Sequence, residues 1–387
     1  MSSPLKASSG AREAAGAIVP RGAARGQTGW RILVVGRLKD HKMVAKLQPL
    51  LAMEEVAEVA LVRRTPLALP GVRNHCPPPL LRSVAALAEL WRLLTVLWLC
   101  GTRRPDFVVS FYLLPHALYA EAARRLFGTR TVPVTISEED VKLGLSRRPF
   151  AAAVRAAHAV GVRGEQSARL LRESGIPPDR IFSPPNLYDP DDYAPDPSVA
   201  KDIDVLFVGN LVAVKRLDRL LEAVALLAPR RPDLRASLVG DGVLRGELEA
   251  QARRLGLQGR VRFEGARPFA EVVDWLRRSR ILVMTSAMEG LPQVMIEAMS
   301  CGVPVVIADT GDVKTLARHQ ENAWIVPSPT AEAFAEAIDR LLGDADLYRR
   351  LVEGSLAMRE RFRRDYGMDA AMAEWRKAFG APTLTSR

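Results

Sequence analysis

Two acids stand eight residues apart in the stretch ILVMTSAMEGLPQVMIEAMSCGVPVVIA, from Ile281 to Ala308: Glu289 and Glu297. Glu297 is the unusual one, because it sits among Val294, Met295, Ile296 and Met299. A carboxylate turned inward there needs a partner, since desolvating it bare costs roughly several kcal/mol. An ionised carboxylate only accepts hydrogen bonds, so a vicinal diol such as the 2′- and 3′-hydroxyls of a ribose suits it. A helix starting near Pro292 leaves N–H groups pointing outward, a site suited to a pyrophosphate. Glu289 then lies beyond the phosphates, near whatever they carry. Spacing alone does not decide this, because Glu165 and Glu173 repeat it in an Arg-rich helix with no other sign of a site.

The elements around these acids read plainly. Ile281 to Met284 is an apolar run of strand length, Gly290 marks a turn, and proline is favoured in a first helical turn. Gly302 stops the helix, and Val303 to Ala308 reads as the next buried strand. The same alternation runs along the chain. Strands are expected at 31–36, 59–62, 106–110, 131–136, 159–162 and 181–183, with helices at 81–100, 115–127 and 166–174. After a Pro- and Asp-rich linker, Pro184 to Pro197, it restarts at Asp204. Strands follow at 204–209, 236–239, 261–263, 281–284, 303–308 and 324–326, with helices between them and at 331–342, 344–363 and 368–379. The expected class is α/β: two doubly wound, Rossmann-like parallel-sheet domains facing a cleft. The expected boundaries are a tail at 1–29, a first domain at 30–195, a second at 196–363, and a crossover helix and tail at 364–387.

At 387 residues the chain exceeds one typical core, and its net charge of +11 favours anionic partners. Cys76, Cys100 and Cys301 are far apart, with neither a CxxC nor metal-ligand spacing, as in a protein of a reducing compartment. Residues 1–29 lack the apolar core of a signal peptide and read as a tail. Val84 to Cys100 is apolar but short for a bilayer crossing and carries Glu89 and Arg92, so a core helix is expected.

Four passages, in this order and spacing, carry a resemblance. They are GIPPDRIFSPPN ending at Asn186, with Asp189 and Tyr193; VGNLVAVKRLD from Val208 to Asp218; LVGDG ending at Gly242; and the stretch from Glu289 to Val306. Together the chain resembles the retaining glycosyltransferases of GT-B fold known as family 4, or glycosyltransferase group 1, most strongly over 158–345. The resemblance implies that Glu297 binds the ribose of a nucleotide donor and that Glu289 contacts the donor sugar near its anomeric carbon. Gly290, Leu291 and Pro292 hold sugar and phosphate, and Gly209 and Asn210, at the end of strand 204–209, also belong to the donor site. Lys215 neutralises the departing pyrophosphate; a cation at a helix start otherwise opposes the helix dipole. Arg267 falls near the base, His116 against the donor sugar as a second catalytic residue, and Asp140 on the acceptor side. The final helix, with Trp375 and Phe379, crosses back to the first domain.

The chain departs from the family where Asn210 replaces an arginine and Arg216 a glycine; Arg216 is the candidate to supply the missing charge. After the first strand only Gly36 remains of a Gly-rich acceptor loop, followed by Arg37-Leu-Lys-Asp-His-Lys42. The implied activity is transfer of a hexose from a nucleoside-diphosphate-sugar to an acceptor hydroxyl with retention, without cofactor or metal. The acceptor is a saccharide or a lipid-linked molecule of the cell envelope. Basic pairs at Arg63-Arg64, Arg103-Arg104, Arg124-Arg125 and Arg147-Arg148 point to a cytoplasmic protein resting on an anionic membrane surface. A GT-B-like sugar-nucleotide isomerase and a non-catalytic nucleotide-sugar or nucleic-acid binder are the alternatives. Nucleic acid is not expected as a partner, because no basic stretch is interleaved with aromatics.

Overall fold

A computed structural model describes residues 29–380. The expected tail therefore lies, but for its last residue, outside the described residues, as does 381–387. In the first domain the chain runs β1 (Trp30–Val35), α1 (Asp40–Ala52), β2 (Val56–Val62), β3 (Val72–His75), α2 (Pro79–Arg82), α3 (Ala85–Arg103) and β4 (Phe107–Phe111). It continues α4 (His116–Phe127), β5 (Arg130–Val134), α5 (Glu138–Leu145), α6 (Arg148–Ala156), β6 (Val160–Gly161), α7 (Glu165–Glu173) and β7 (Ile181–Phe182). The second domain runs β8 (Ile203–Val208), α8 (Leu217–Leu227), β9 (Ala236–Val239), α9 (Arg245–Arg254), β10 (Val261–Gly265), α10 (Phe269–Arg278) and β11 (Ser279–Met284). Then come α11 (Gln293–Ser300), β12 (Val305–Ala308), β13 (Trp324–Val326), α12 (Ala331–Gly343), α13 (Ala345–Leu356), α14 (Arg359–Tyr366) and α15 (Met368–Phe379).

The strands form two wholly parallel sheets, ordered β3-β2-β1-β4-β5-β6-β7 and β10-β9-β8-β11-β12-β13. Each order reverses direction once, between β1 and β4 and between β8 and β11. Crossover loops leave opposite ways at such a point and open a crevice beyond the strand ends. The central strands are continuous apolar runs because helices cover both faces of each sheet; Val34, Val109, Leu206 and Leu282 are fully buried.

Two segments tie the domains together. The linker after β7 packs on the last helices, with the Tyr188 N–H donating to the Tyr366 carbonyl at 3.0 Å. The Arg359 guanidinium donates to the Ser300 carbonyl at 2.8 Å and contacts Asp191 at 3.1 Å. α15 then returns to the first domain, where Trp375 and Phe379 are buried in its core. Arg376 pairs with Glu55 at 2.7 Å, and the Ser183 N–H donates to Glu374 at 2.6 Å. Trp375→Ala is expected to cost about 3–5 kcal/mol, seen as a lower urea midpoint.

Several elements differ from expectation. α1, α2, β3, α5 and α6 were not anticipated. The helix expected at 344–363 is two helices, since Leu347 and Leu351 belong to the core on one face of the second sheet and Phe362 to the other. One straight helix cannot serve both faces. α3 meets the expectation of a core helix on one face only: five of its nineteen residues are buried, and Leu87, Leu90, Leu94 and Trp98 are exposed.

Candidate functional site

The site is assembled at the β8/β11 reversal. β8 leads directly into Gly209, whose backbone is crowded by the matching turn after β9; a Cβ on Gly240 would lie 1.8 Å from the Gly209 carbonyl oxygen. The chain then descends through Asn210, which is exposed, to a short 3₁₀ turn ending at Lys215. Two bonds fix this turn to the strand end opposite. The Thr285 hydroxyl donates to the Lys215 carbonyl at 2.9 Å, and the Ala287 N–H to the Val214 carbonyl at 2.8 Å.

So held, the Lys215 ammonium lies 2.5 Å from Glu289 Oε1, which also accepts from the Ser286 hydroxyl at 2.6 Å. The pair is 74 residues apart in sequence and largely withdrawn from water, at 22% and 10% side-chain exposure. Gly311, at φ +56°, packs against the back of this loop so closely that a Cβ would lie 1.6 Å from the Glu289 carbonyl oxygen. Gly311→Ala is therefore expected to displace the Glu289–Gly290 backbone and cost about 2 kcal/mol or more. An unchanged urea midpoint would show that the two loops part freely. Beyond Gly290 and Leu291, Pro292 is the N-cap of α11, and no side chain caps the helix. Its first-turn N–H groups thus remain available to an anion.

Glu297 is 3% exposed. The Tyr193 hydroxyl and Gln293 side chain hydrogen-bond to it, and the Gln293 amide oxygen accepts from Asn186 at 3.3 Å. Burial outweighs these donors and pushes its carboxyl up to about 7. In the free protein its partners are thus protein groups from the linker and its own helix.

The remaining expected residues separate. Arg216, at φ +48°, turns its guanidinium onto Asp218 at 3.0 and 2.7 Å, so its charge is matched rather than offered to a phosphate. Arg267 sits on the rim, partly exposed, 5.7 Å over the Trp275 ring. His116 corrects the sequence reading: it is 0% exposed, with Nδ1 against the Phe111 carbonyl at 2.8 Å and Nε2 against Arg92 at 3.2 Å. Burial lowers its pKa to about 4, so it is neutral and has no nitrogen left for a sugar. Asp140 is half-buried at a strand end of the first domain. It lies in the first turn of α5, accepting from the Leu113 N–H at 3.2 Å and the Ile136 N–H at 3.4 Å. Its carboxylate staples two strand-end loops together.

Sequence reasoning missed the groups facing this site from the first domain. Arg163 follows β6, is solvent-exposed yet crowded, donates to the Leu291 carbonyl at 3.5 Å and feels the charge of Glu289. Lys46 on α1 donates to the Pro184 and Pro185 carbonyls at 2.7 and 3.2 Å. Burial, with Arg163 nearby, pulls it down to about 7. Lys42, one turn earlier, is lowered by burial and by the same arginine. The readable signals were the i, i+4 spacing of the lysines and the strand-end place of Arg163. Tyr112, just after β4, lies at φ +68° under the Arg37 guanidinium at 5.3 Å, an unusual backbone state for a tyrosine. A separate surface hollow of about 510 Å³, lined by Arg230, Arg231 and Asp339, contains none of these residues.

Residues 10–186 match the glycosyl transferase 4-like domain, and residues 191–357 match glycosyl transferases group 1. A D-inositol 3-phosphate glycosyltransferase of Streptomyces bingchenggensis is 35% identical over 177 residues, 43% of this chain and 38% of that protein. The lipopolysaccharide core biosynthesis glycosyltransferase LpsE of Rhizobium meliloti is 37% identical over 153 residues, 38% of this chain and 42% of the relative. The chain thus spans less than half the length of these curated relatives. Among solved structures, Anabaena HepE in complex with UDP and glucose superposes with a TM-score of 0.72 at 19% identity, over 91% of this chain and 100% of the other. Sucrose-phosphate synthase of Thermosynechococcus elongatus gives 0.71 at 18%, over 91% and 100%. With two matched domain models laid end to end on two parallel sheets, and the last helix returned to the first domain, the chain belongs to the family 4, or group 1, glycosyltransferases of GT-B fold.

Proposed function

We infer that the protein transfers a sugar from a nucleoside-diphosphate-sugar to an acceptor hydroxyl with retention of anomeric configuration. The observation that carries this reading is the Lys215–Glu289 pair at the β8/β11 reversal, beside the uncapped start of α11. A diphosphate seated on the α11 N–H groups meets Lys215, while Glu289 lies one turn away toward the sugar. HepE holding UDP and glucose, and the glycosyltransferase names of the relatives, support the donor class.

In the proposed step the bond from the anomeric carbon to the phosphate oxygen breaks while the acceptor oxygen attacks the same face. The acceptor proton passes to the departing phosphate. Lys215 and Arg163 neutralise the charge that builds there, and Glu289 offsets the positive charge on the sugar ring. This assigns charge neutralisation to side chains and backbone N–H groups, so EDTA is expected to leave the rate unchanged. The free cysteines accord with a cytoplasmic location.

Thermal shift against UDP-, GDP- and ADP-sugars, followed by NMR of the product linkage, tests the reading. A stabilising donor, turnover only with acceptor, and an unchanged anomeric configuration are expected. Donor turnover without acceptor would indicate an isomerase. Absence of any nucleotide preference, with affinity set by salt, would indicate a nucleic-acid binder.

A further inference from the structure

We propose that the outer face of α3, with the end of α4, is a docking surface for an anionic lipid bilayer. α3 buries Ala88, Arg92, Val96, Leu99 and Cys100 against the first sheet and α4. Its opposite face carries Leu87, Leu90, Leu94 and Trp98, exposed by 42, 52, 56 and 58%. These recur every three or four residues, so they form one stripe along a helix about 28 Å long. Phe127, 45% exposed at the end of α4, extends it; a Cβ on Gly101 would lie 3.3 Å from its ring. At the other end Val84 and Leu80 continue the stripe at 47 and 86%. Eight of the fourteen exposed large apolar side chains among the described residues, Leu126 included, fall on this face. A soluble surface rarely gathers so many in one place.

Charge selects the occupant. Arg103 and Arg104 stand exposed at one end of the stripe, and Arg64 and Arg82 lie at the other; Arg125, near the end of α4, is paired with Glu121 at 2.6 Å. α3 contains a single acid, Glu89, which turns away to Arg92 at 2.9 Å and to the Tyr119 hydroxyl at 2.9 Å. An apolar stripe with cations at both ends fits the boundary between acyl chains and anionic headgroups. A second copy fits poorly, because pairing this face with itself brings Arg103 and Arg104 against further arginines in either orientation, and the one acid of α3 is already engaged by Arg92. The helix lies flat rather than crossing. Extracting it would unpack Arg92, which is 5% exposed and held by Glu89 and His116.

The orientation follows from the same contacts. Glu89 and Arg92 meet Tyr119 and His116 at the start of α4, directly after β4. The N-terminal half of α3 is therefore level with the strand ends that open on the cleft. A protein docked by this face holds the rim of its first domain at the headgroups. On the transfer reading above, that favours an acceptor anchored in the bilayer; the docking itself does not depend on that reading.

Flotation of the full chain with phosphatidylcholine vesicles, with and without phosphatidylglycerol, tests this without any sugar donor. Flotation with the anionic vesicles, reversed by salt, is expected. Leu94→Glu combined with Trp98→Glu is expected to lower the bound fraction about 10-fold or more, with unchanged thermal unfolding because both side chains already face water. Arg103→Glu with Arg104→Glu is expected to remove the preference for phosphatidylglycerol. No flotation on either vesicle, or equal flotation of the Leu94→Glu/Trp98→Glu variant, would overturn the proposal. So would a dimer in light scattering that this variant dissociates. Docking without sugar transfer would leave this proposal standing and sink the transfer reading instead.

Discussion

Lys215→Met is expected to lower the transfer rate by about 10²–10³-fold, the usual effect of losing one donor aimed at developing charge. The substitution keeps the four-atom stem of the side chain and removes its ammonium. What disappears is the cation 2.5 Å from Glu289. Two costs then add. The departing diphosphate loses a positive charge that grows more favourable as the bond breaks, and Glu289, 10% exposed, loses its ion-pair partner and keeps the Ser286 hydroxyl bond. Arg163 reaches the same region from the other domain, so some activity is expected to remain and to fall further in the double variant. Initial rates over a donor series decide between roles. A fall confined to KM would make Lys215 a binding residue, and an unchanged kcat would refute its part in leaving-group departure.

Glu297→Gln is expected to make the free protein more stable while weakening the donor complex. The Glu297 carboxyl is raised from 4.5 to about 7 by burial. The folded state therefore holds a proton that the unfolded state has released between those two values. The sign follows directly: this group favours the fold most below pH 4.5, loses that advantage as pH rises through the window, and carries its full penalty above pH 7. At 1.36 kcal/mol per unit the penalty is on the order of 3 kcal/mol. Glutamine does not titrate and keeps an acceptor oxygen for the Tyr193 hydroxyl. Melting at pH 8 should therefore rise, and the slope of stability between pH 4.5 and 7 should flatten. Donor affinity should fall about 10- to 100-fold, because hydrogen bonds from ribose hydroxyls to a charged acceptor are lost. A variant that is no more stable at pH 8 would mean the carboxylate is already compensated in the free protein. One that binds donor equally well would remove Glu297 from the ribose site.

Two residues show why a site can be half legible. Lys215 and Glu289 were both visible because each sits beside a turn in a strand–turn–helix unit, and those units are announced by apolar runs and glycines. That they would touch was not readable, since their meeting depends on β8 and β11 being neighbours. His116 shows the reverse. Its place after a strand was read correctly, but which way it points is set by α3, whose Arg92 occupies its free nitrogen. α5 was overlooked although Ser137 followed by three acids is a helix-start signal. β3, with one apolar residue in VRNH, has no apolar run because it is an edge strand.

By itself the sequence determined the alternation of strand and helix, the division into two sheets, and which residues end the strands, because buried parallel strands must be apolar and their exits must turn. Only the tertiary structure decided which strand ends meet, which cations face Glu289, and that the apolar stripe of α3 lies outside rather than in the core. Strand order, domain approach and the direction of a helix face arise from contacts between residues far apart in the chain, and local pattern carries no record of them.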